Sequence, residues 1–379
     1  MANPGVDVAP RRPSLRQDAP MASLADLGIT IGSLPTGPTN SIVDVRGVGL
    51  GHSTVVYDDP PPPFGRGVAR TGVTVLDLGG DAWAYPVPAG VAVLNGAGEL
   101  TGRSQVDEWG LLETPVFLTS TMQVGRVYDA ACRLLMAEQP RIGIDDVIIP
   151  AVGECDDSWL NDPRYMHVTD EHVAAALGAA RASAGSGISP EQGAVGAGTG
   201  LSCFGYKGGI GTSSRVLPDG HVLGVVLLTN FGQWDRLTID GLPVGRTLGP
   251  PAHAAPPPAG SCIGVVVTDA PLDHSACERL ARRVGLGLAR AGSTAHHASG
   301  EIFLAVALGL RVPRGMAPAL APISGRALDP YFEAVVDATE EAVLISLLSA
   351  HEVTGVGGRF VGALPVEAVA RLIREGRHS

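Results

Sequence analysis

A single α/β domain is the fold class this sequence predicts, on three observations. Short runs of β-branched and aliphatic residues, bounded by glycine or proline, are interspersed with segments whose apolar residues recur at helical spacing. Strands follow one another before a helix intervenes, a mixed order rather than strict strand–helix alternation. Glycine, at 51 of 379 residues, exceeds its usual ~7% share, and aromatics are only 4%. The core is therefore expected to be aliphatic, with many close backbone approaches.

Composition excludes several classes. A net charge of −11 argues against a nucleic-acid surface. No apolar run reaches the ~18 residues that a membrane-spanning helix needs, so no membrane partner is expected. The start of the chain, MANPGVDVAPRRPSLRQDAP, has basic residues but no apolar stretch of the secretory type. Residues 1–40 are expected to be a disordered extension, with the folded domain at 41–379. Cys132, Cys155, Cys203, Cys262 and Cys277 show neither CxxC nor Cys/His spacing. That pattern predicts no metal, no cofactor, reduced thiols and a cytoplasmic location.

The elements follow in order. Residues 40–52 suggest a short strand, a glycine turn and a second strand, with His52, at a strand start, assigned to structure rather than to the site. Pro60 to Pro63 make a rigid loop, and residues 71–78 and 91–94 are strands. Asn95-Gly96-Ala97-Gly98-Glu99-Leu100-Thr101-Gly102 is a tight strand-to-helix turn, with Glu99 and Thr101 as candidate caps. It lacks the Lys-Ser/Thr pair of a phosphate loop. Residues 122–138 carry helical spacing, and residues 147–152 have the composition of a central strand. Residues 169–183 form an alanine-rich helix, and residues 221–229 a strand ending at Asn230. Residues 233–260 read as a flexible, proline-bearing loop, and strand composition resumes after Ser261. Helices are predicted at 273–291, 330–350 and 365–375, and Ser299-Gly300-Glu301 opens a further buried strand.

The chemistry concentrates at a few places. After the run at 147–152 comes Glu154-Cys155-Asp156-Asp157, an acidic cluster without the His or Cys partners of a metal site. A carboxylate at a strand end can hold a substrate ammonium by a charge-assisted hydrogen bond. An Asn at a strand end, as at Asn230, can donate to a developing oxyanion. The proline run of Pro256-Pro257-Pro258 stops at Gly260-Ser261, directly before a β-branched strand. A cut between Gly260 and Ser261 would leave a serine with a free α-amino group at a buried strand tip. That amine, with a reference pKa of about 7.7–8.0, could take the hydroxyl proton and make the serine a nucleophile. Strand alternation sends Cys262 to the opposite face, into packing.

These blocks, from Ser41 to Leu364, resemble those of the P1 family of aminopeptidases, peptidase family S58. Its members include the L-aminopeptidase/D-amidase-esterases and the β-peptidyl aminopeptidases. The resemblance rests on GSCIGVVVTDAPL from Gly260, on NGAGELTG from Asn95, and on GAVGAGTG and KGGIGTSSR in the glycine-rich region. It implies a four-layer α/β/β/α sandwich, self-cleaved into a large piece (41–260 with the extension) and a small one (261–379). It implies a Ser261 nucleophile, with Asn230 at the oxyanion and Ser299 and Glu301 around the free amine. Glu154 and Asn95 fall at the substrate pocket. The resemblance further implies a homo-tetramer acting on peptides or aminoacyl amides and esters. Asp156 stands where relatives often carry an aromatic that lines the pocket. Two alternatives remain open: an acyltransferase of the ornithine-acetyltransferase type, whose nucleophile is Thr, and an uncut, non-catalytic binding descendant.

Overall fold

The computed structural model describes residues 23–251 and 260–376. Ten strands build two stacked sheets. The smaller contains β1 (Gly49–Asp58), β2 (Val68–Asp77), β5 (Val116–Ser120) and β6 (Ala151–Cys155), in the order β1-β2-β5-β6. The larger contains β3 (Val87–Gly96), β4 (Leu111–Leu112), β9 (Ile210–Val216), β10 (Val222–Asn230), β11 (Ser261–Thr268) and β12 (Gly300–Ala307), in the order β4-β3-β12-β11-β10-β9. Two short ribbons are added: β7 (Ser202–Cys203) with β8 (Tyr206–Lys207), and β13 (Val353–Thr354) with β14 (Phe360–Val361).

The helices are α1 (Arg103–Trp109), α2 (Val124–Glu138), α3 (Asp170–Ser183), α4 (Val244–Leu248), α5 (His274–Ala291), α6 (Asp329–Leu348) and α7 (Val366–Gly376). Helices α2 and α3 cover the outer face of the small sheet through Val127, Ala131, Val173 and Leu177. Helices α5 and α6 cover the large sheet through Leu280, Val284, Val335 and Val343. Between the sheets lies an aliphatic layer that includes Leu50, Leu118, Val226, Ile263, Val265 and Leu304. The result is the α/β/β/α sandwich expected.

Strand alternation explains β11. Ile263, Val265 and Val267 face the other sheet, while Cys262 and Val266 face α5 and α6. Cys262 thus has the packing role its parity predicted. Asp273 caps α5 by accepting from the Ala276 N–H at 2.9 Å.

Five expectations need correction. Residues 1–22 of the predicted extension lie outside the described residues, but residues 23–40 are packed. Leu24, Leu27, Ile29 and Ile31 are buried in the layer that also holds Leu223 and Val335. The carbonyl of Ile31 accepts from buried Arg215 at 2.8 Å. Residues 42–44 form one 3-10 turn entered from Ser41, not a strand, because the Asp44 carboxylate accepts from the Ser41 N–H at 3.1 Å and closes it. The strand expected at 147–152 starts only after Pro150, at Ala151, and lies at an edge; Val147 and Ile149 are exposed. Proline has no N–H to add to a ladder, which fits that late start. Helix α1 begins from Gly102 in a left-handed conformation without a side-chain cap; the Thr101 hydroxyl instead donates to the Pro150 carbonyl at 2.6 Å. Within 233–260, residues 234–236 and α4 are helical rather than irregular; residues 252–259 lie outside the described residues.

Candidate active site

The ladder brings the singled-out residues to one end of the large sheet. Ser261 opens β11, antiparallel to β10 and parallel to β12. Register sets Ser261 opposite Asn230 on one side and opposite Gly300 on the other. On the far side of β12, Glu301 faces Asn95 and Gly300 faces Gly96 of β3. Four chain segments distant in sequence therefore end side by side.

Ser261 is 4% exposed, and its hydroxyl is buried without a hydrogen-bond partner. It lies beside the Cys155 thiol, which reaches across from the small sheet and donates to the Leu228 carbonyl at 3.5 Å. Burial pushes the Cys155 thiol well above its ordinary pKa, so it stays protonated at neutral pH. The carbonyl of Gly260, on the peptide bond joined to Ser261, accepts from the Gly300 N–H at 3.1 Å. Gly260 is also tightly placed: a Cβ there would sit 2.8 Å from the Ser299 hydroxyl. At Gly300 a Cβ would meet the Ala97 carbonyl at 2.3 Å, so only glycine fits between the two loops.

The Ser299 hydroxyl donates to Glu301, whose other carboxyl oxygen is buried and unpartnered. Glu301 is 0% exposed, and burial raises its pKa against the lowering effect of the Ser299 bond. Asn230 donates from Nδ2 to the Asp156 carbonyl at 2.8 Å and accepts from the Ser202 N–H at 3.2 Å. Asn95 donates from Nδ2 to the His296 carbonyl at 2.8 Å, which ties its turn to the segment before Ser299.

Glu154 comes from the small sheet. It accepts from the Glu99 N–H at 2.9 Å and from the Thr121 hydroxyl. Burial raises its pKa, those two bonds lower it, and the nearby Asp156 and Glu99 charges raise it further. Asp156 accepts from the Ser158 N–H at 2.9 Å. Asp157 is buried deeper, accepting from Ser120 at 2.8 Å and from Asn161 at 3.1 Å. Burial carries its pKa up to about 7.

Every predicted site residue thus lies at this end of the sandwich. Sequence reasoning missed the Gly300 N–H, the Cys155 thiol and the Thr121 hydroxyl. A backbone donor has no side-chain signature, and Thr121 is one of many polar residues that follow a strand. His52 bonds Thr74 at 2.9 Å and the Glu191 carbonyl at 3.0 Å, and burial lowers its pKa to about 4. Among the described residues no group of His, Cys, Asp and Glu could hold a metal ion, and no helix is long and apolar enough to cross a membrane.

Two stacked β-sheets, the larger with the serine strand β11 inside it, covered by helices on both outer faces, match the fold of a solved N-terminal-nucleophile hydrolase. Solved structures share it at matching sequence identity. The L-aminopeptidase D-Ala-esterase/amidase of Ochrobactrum anthropi, described as a prototype of the serine aminopeptidases, superposes with a TM-score of 0.84 at 32% identity, covering 94% of this chain and 99% of its own. A β-aminopeptidase of Burkholderia sp. gives 0.82 at 36%, covering 93% and 99%. Among curated sequences, the β-peptidyl aminopeptidase BapA of Sphingosinicella xenopeptidilytica is 37% identical over 94% of this chain and 93% of its own. The Peptidase family S58 model matches residues 40–361. The chain belongs to peptidase family S58 and is a hydrolase of the aminopeptidase class.

Proposed function

We propose that the chain cleaves its own Gly260–Ser261 bond and then uses Ser261, with its freed α-amine as base, to hydrolyse amides or esters of N-terminal amino acids. The observation that carries this reading is the placement of Ser261. Its hydroxyl is buried and unpartnered, and the carbonyl of the bond to be cut is already held by the Gly300 N–H.

In the first reaction, the Ser261 hydroxyl attacks the Gly260 carbonyl carbon. The Gly300 N–H stabilises the oxyanion, the C–N bond breaks as nitrogen takes a proton, and water hydrolyses the resulting ester. The freed ammonium then lies within reach of Glu301, whose open oxygen and Ser299 contact orient it. In the second reaction, Glu154 holds the substrate's ammonium, and Ser261 attacks the carbonyl while its own amine accepts the proton. Asn230 donates to the oxyanion, the scissile C–N or C–O bond breaks as the leaving amine or alcohol takes that proton from the Ser261 ammonium, and water then hydrolyses the acyl-enzyme to free the acid and Ser261. Asn95 shapes the pocket by anchoring residues 296–297. The substrates are peptides or aminoacyl amides and esters, and the proposed assembly is a homo-tetramer of cut chains.

The test is intact mass and N-terminal sequencing of purified protein beside Ser261→Ala. Two fragments of roughly 27 and 12 kDa, from 260 and 119 of the 379 residues in 38.8 kDa, with the smaller starting Ser-Cys-Ile-Gly, are expected. The Ala variant should remain whole. A folded wild-type chain that stays intact would remove the amine on which the mechanism depends.

A further inference from the structure

We infer that a groove beside helix α7 is the docking site for the chain's own residues 256–260, the proline-rich end that cleavage creates. This rests on the proposed cut at Gly260–Ser261 and goes beyond it.

The groove, of about 510 Å³, is lined by Tyr206 of β8, Phe360 of β14, Arg371 and Leu372 of α7, and by Pro250 and Pro251. The chain thus already runs into it just before residue 252. Tyr206 is only 4% exposed, yet its hydroxyl bonds no described residue and is not sealed in the interior. A buried tyrosine hydroxyl usually has a partner, so this one is an unused donor at the groove wall. Arg371 is exposed and in no ion pair among the described residues. Two aromatic rings, an apolar floor and two unused donors suit a proline-rich segment. An extended proline helix makes no internal hydrogen bonds, so its carbonyls need outside donors, and its rings pack on aromatic side chains.

Length and charge select the occupant. Residues 252–255 separate Pro251 from Pro256-Pro257-Pro258, the length of one reverse turn, so the triplet can fold back onto the groove. From Pro256 to Gly260 a proline helix spans about 15 Å, at ~3.1 Å per residue. Residues 249–259 contain no Asp or Glu. The negative charge this end can bring is therefore the carboxylate left on Gly260 when water hydrolyses the ester formed by the cut. Arg371 offers it a charge-assisted hydrogen bond, and Tyr206 offers a donor to a proline carbonyl. In the uncut chain that carboxylate does not exist, and the Gly260 carbonyl is held beside Ser261 by the Gly300 N–H at 3.1 Å. Cleavage both makes the ligand and releases it.

The experiment measures binding of the peptide Ala-Pro-Pro-Pro-Ala-Gly, as free acid and as C-terminal amide, by fluorescence anisotropy. A label on its amino terminus keeps it from serving as a substrate, and intact mass first fixes the state of each protein. Uncut Ser261→Ala, whose groove lacks the freed end, should bind the acid several-fold tighter than the amide, the size of an exposed ion pair. Arg371→Gln in that background should erase the difference, and Tyr206→Phe should weaken both peptides. Cut wild type should bind the acid at least several-fold more weakly than the uncut protein, because its own tail competes at a roughly millimolar effective concentration. Equal affinity for cut and uncut protein overturns the inference and leaves the groove to a proline-rich segment of another protein. No binding to the folded, uncut protein overturns it as well. Equal binding of acid and amide removes Arg371 from its role. A folded wild-type chain that is never cut overturns the cleavage reading, and this inference with it.

Discussion

Two buried glutamates stand at the Ser261 end of the sandwich, one on each sheet, and they are finished to different degrees. Glu154, on the small sheet, has both oxygens bonded, to the Glu99 N–H and to Thr121. Glu301, on the large sheet, has one oxygen bonded to Ser299 and the other buried and empty. Burial raises the pKa of both. A buried carboxyl oxygen without a partner is costly, so the Glu301 side is incomplete in the uncut chain. Each Glu154 oxygen already has one protein donor and keeps a second lone pair for a ligand. On our reading, Glu301 awaits the amine that the chain itself will release, and Glu154 awaits one brought by the substrate.

The largest test of that contrast is Ser261→Ala. It should abolish both cleavage and turnover, read by intact mass and by aminoacyl-amide hydrolysis. Removal of a nucleophile that acts with its base typically costs all but the residual binding contribution. Next, Glu301→Gln should lower kcat by about 10²-fold or more, the range of a general-base contribution. It should also slow cleavage, followed as the loss of full-length chain on gels. KM should change little. A KM effect as large as the kcat effect would merge the two glutamates into one role.

Glu154→Gln should do the reverse. Losing a hydrogen bond between charged groups costs about 1.5–3 kcal/mol, so KM should rise roughly ten- to a hundredfold while cleavage proceeds normally. The pH dependence follows from the direction of the shift. With its pKa raised by burial, Glu154 takes up a proton at a higher pH than an ordinary carboxylate as the solution is acidified. The neutral acid no longer attracts an ammonium, so wild-type KM should climb on that acidic limb. The Gln variant should show a high, flat KM there. A wild-type KM that is flat down to pH 4 would take Glu154 out of the ammonium site.

Much of this was legible before the fold was known. Helices α2, α3, α5, α6 and α7 lie within a few residues of their expected bounds, because apolar spacing and a cap such as Asp273 are local signals. Ser261, Asn230, Ser299 and Glu301 stood out through the resemblance to the P1 family, and each sits where a strand begins or ends. What was not legible came from tertiary packing. Residues 147–149 are as apolar as a central strand yet precede it in a partly exposed loop, since composition cannot say which apolar run the sheet will take. Leu24, Leu27, Ile29 and Ile31 looked like part of a tail, but they cover a core surface that forms only when β10 and α6 are assembled. The Gly300 N–H could not be seen at all, because its value depends on the register of two parallel strands 39 positions apart.

Asp157 gives the smallest effect and an internal reference for the two glutamates, since it is a buried carboxyl with no ligand to meet. Its Oδ1 is satisfied by Ser120 and Asn161, its Oδ2 has no partner, and Thr71 lies beside it. Burial raises its folded-state pKa to about 7, against about 3.9 in an unfolded chain. The folded state therefore holds a proton that the unfolded chain has released. Stability from this group is fully present below pH ~4 and is lost as pH rises towards 7, by a few kcal/mol at most. Asp157→Asn keeps an oxygen for Ser120 and Asn161 and places an N–H₂ beside Thr71, with nothing left to titrate. Its Tm relative to wild type should therefore rise between pH 5 and pH 8, measured by calorimetry on the cut protein. Parallel Tm curves for the two proteins would mean that Asp157 is ionised throughout. The pKa elevation that burial gives Glu154 and Glu301 would then need direct titration before any pH profile was assigned to them.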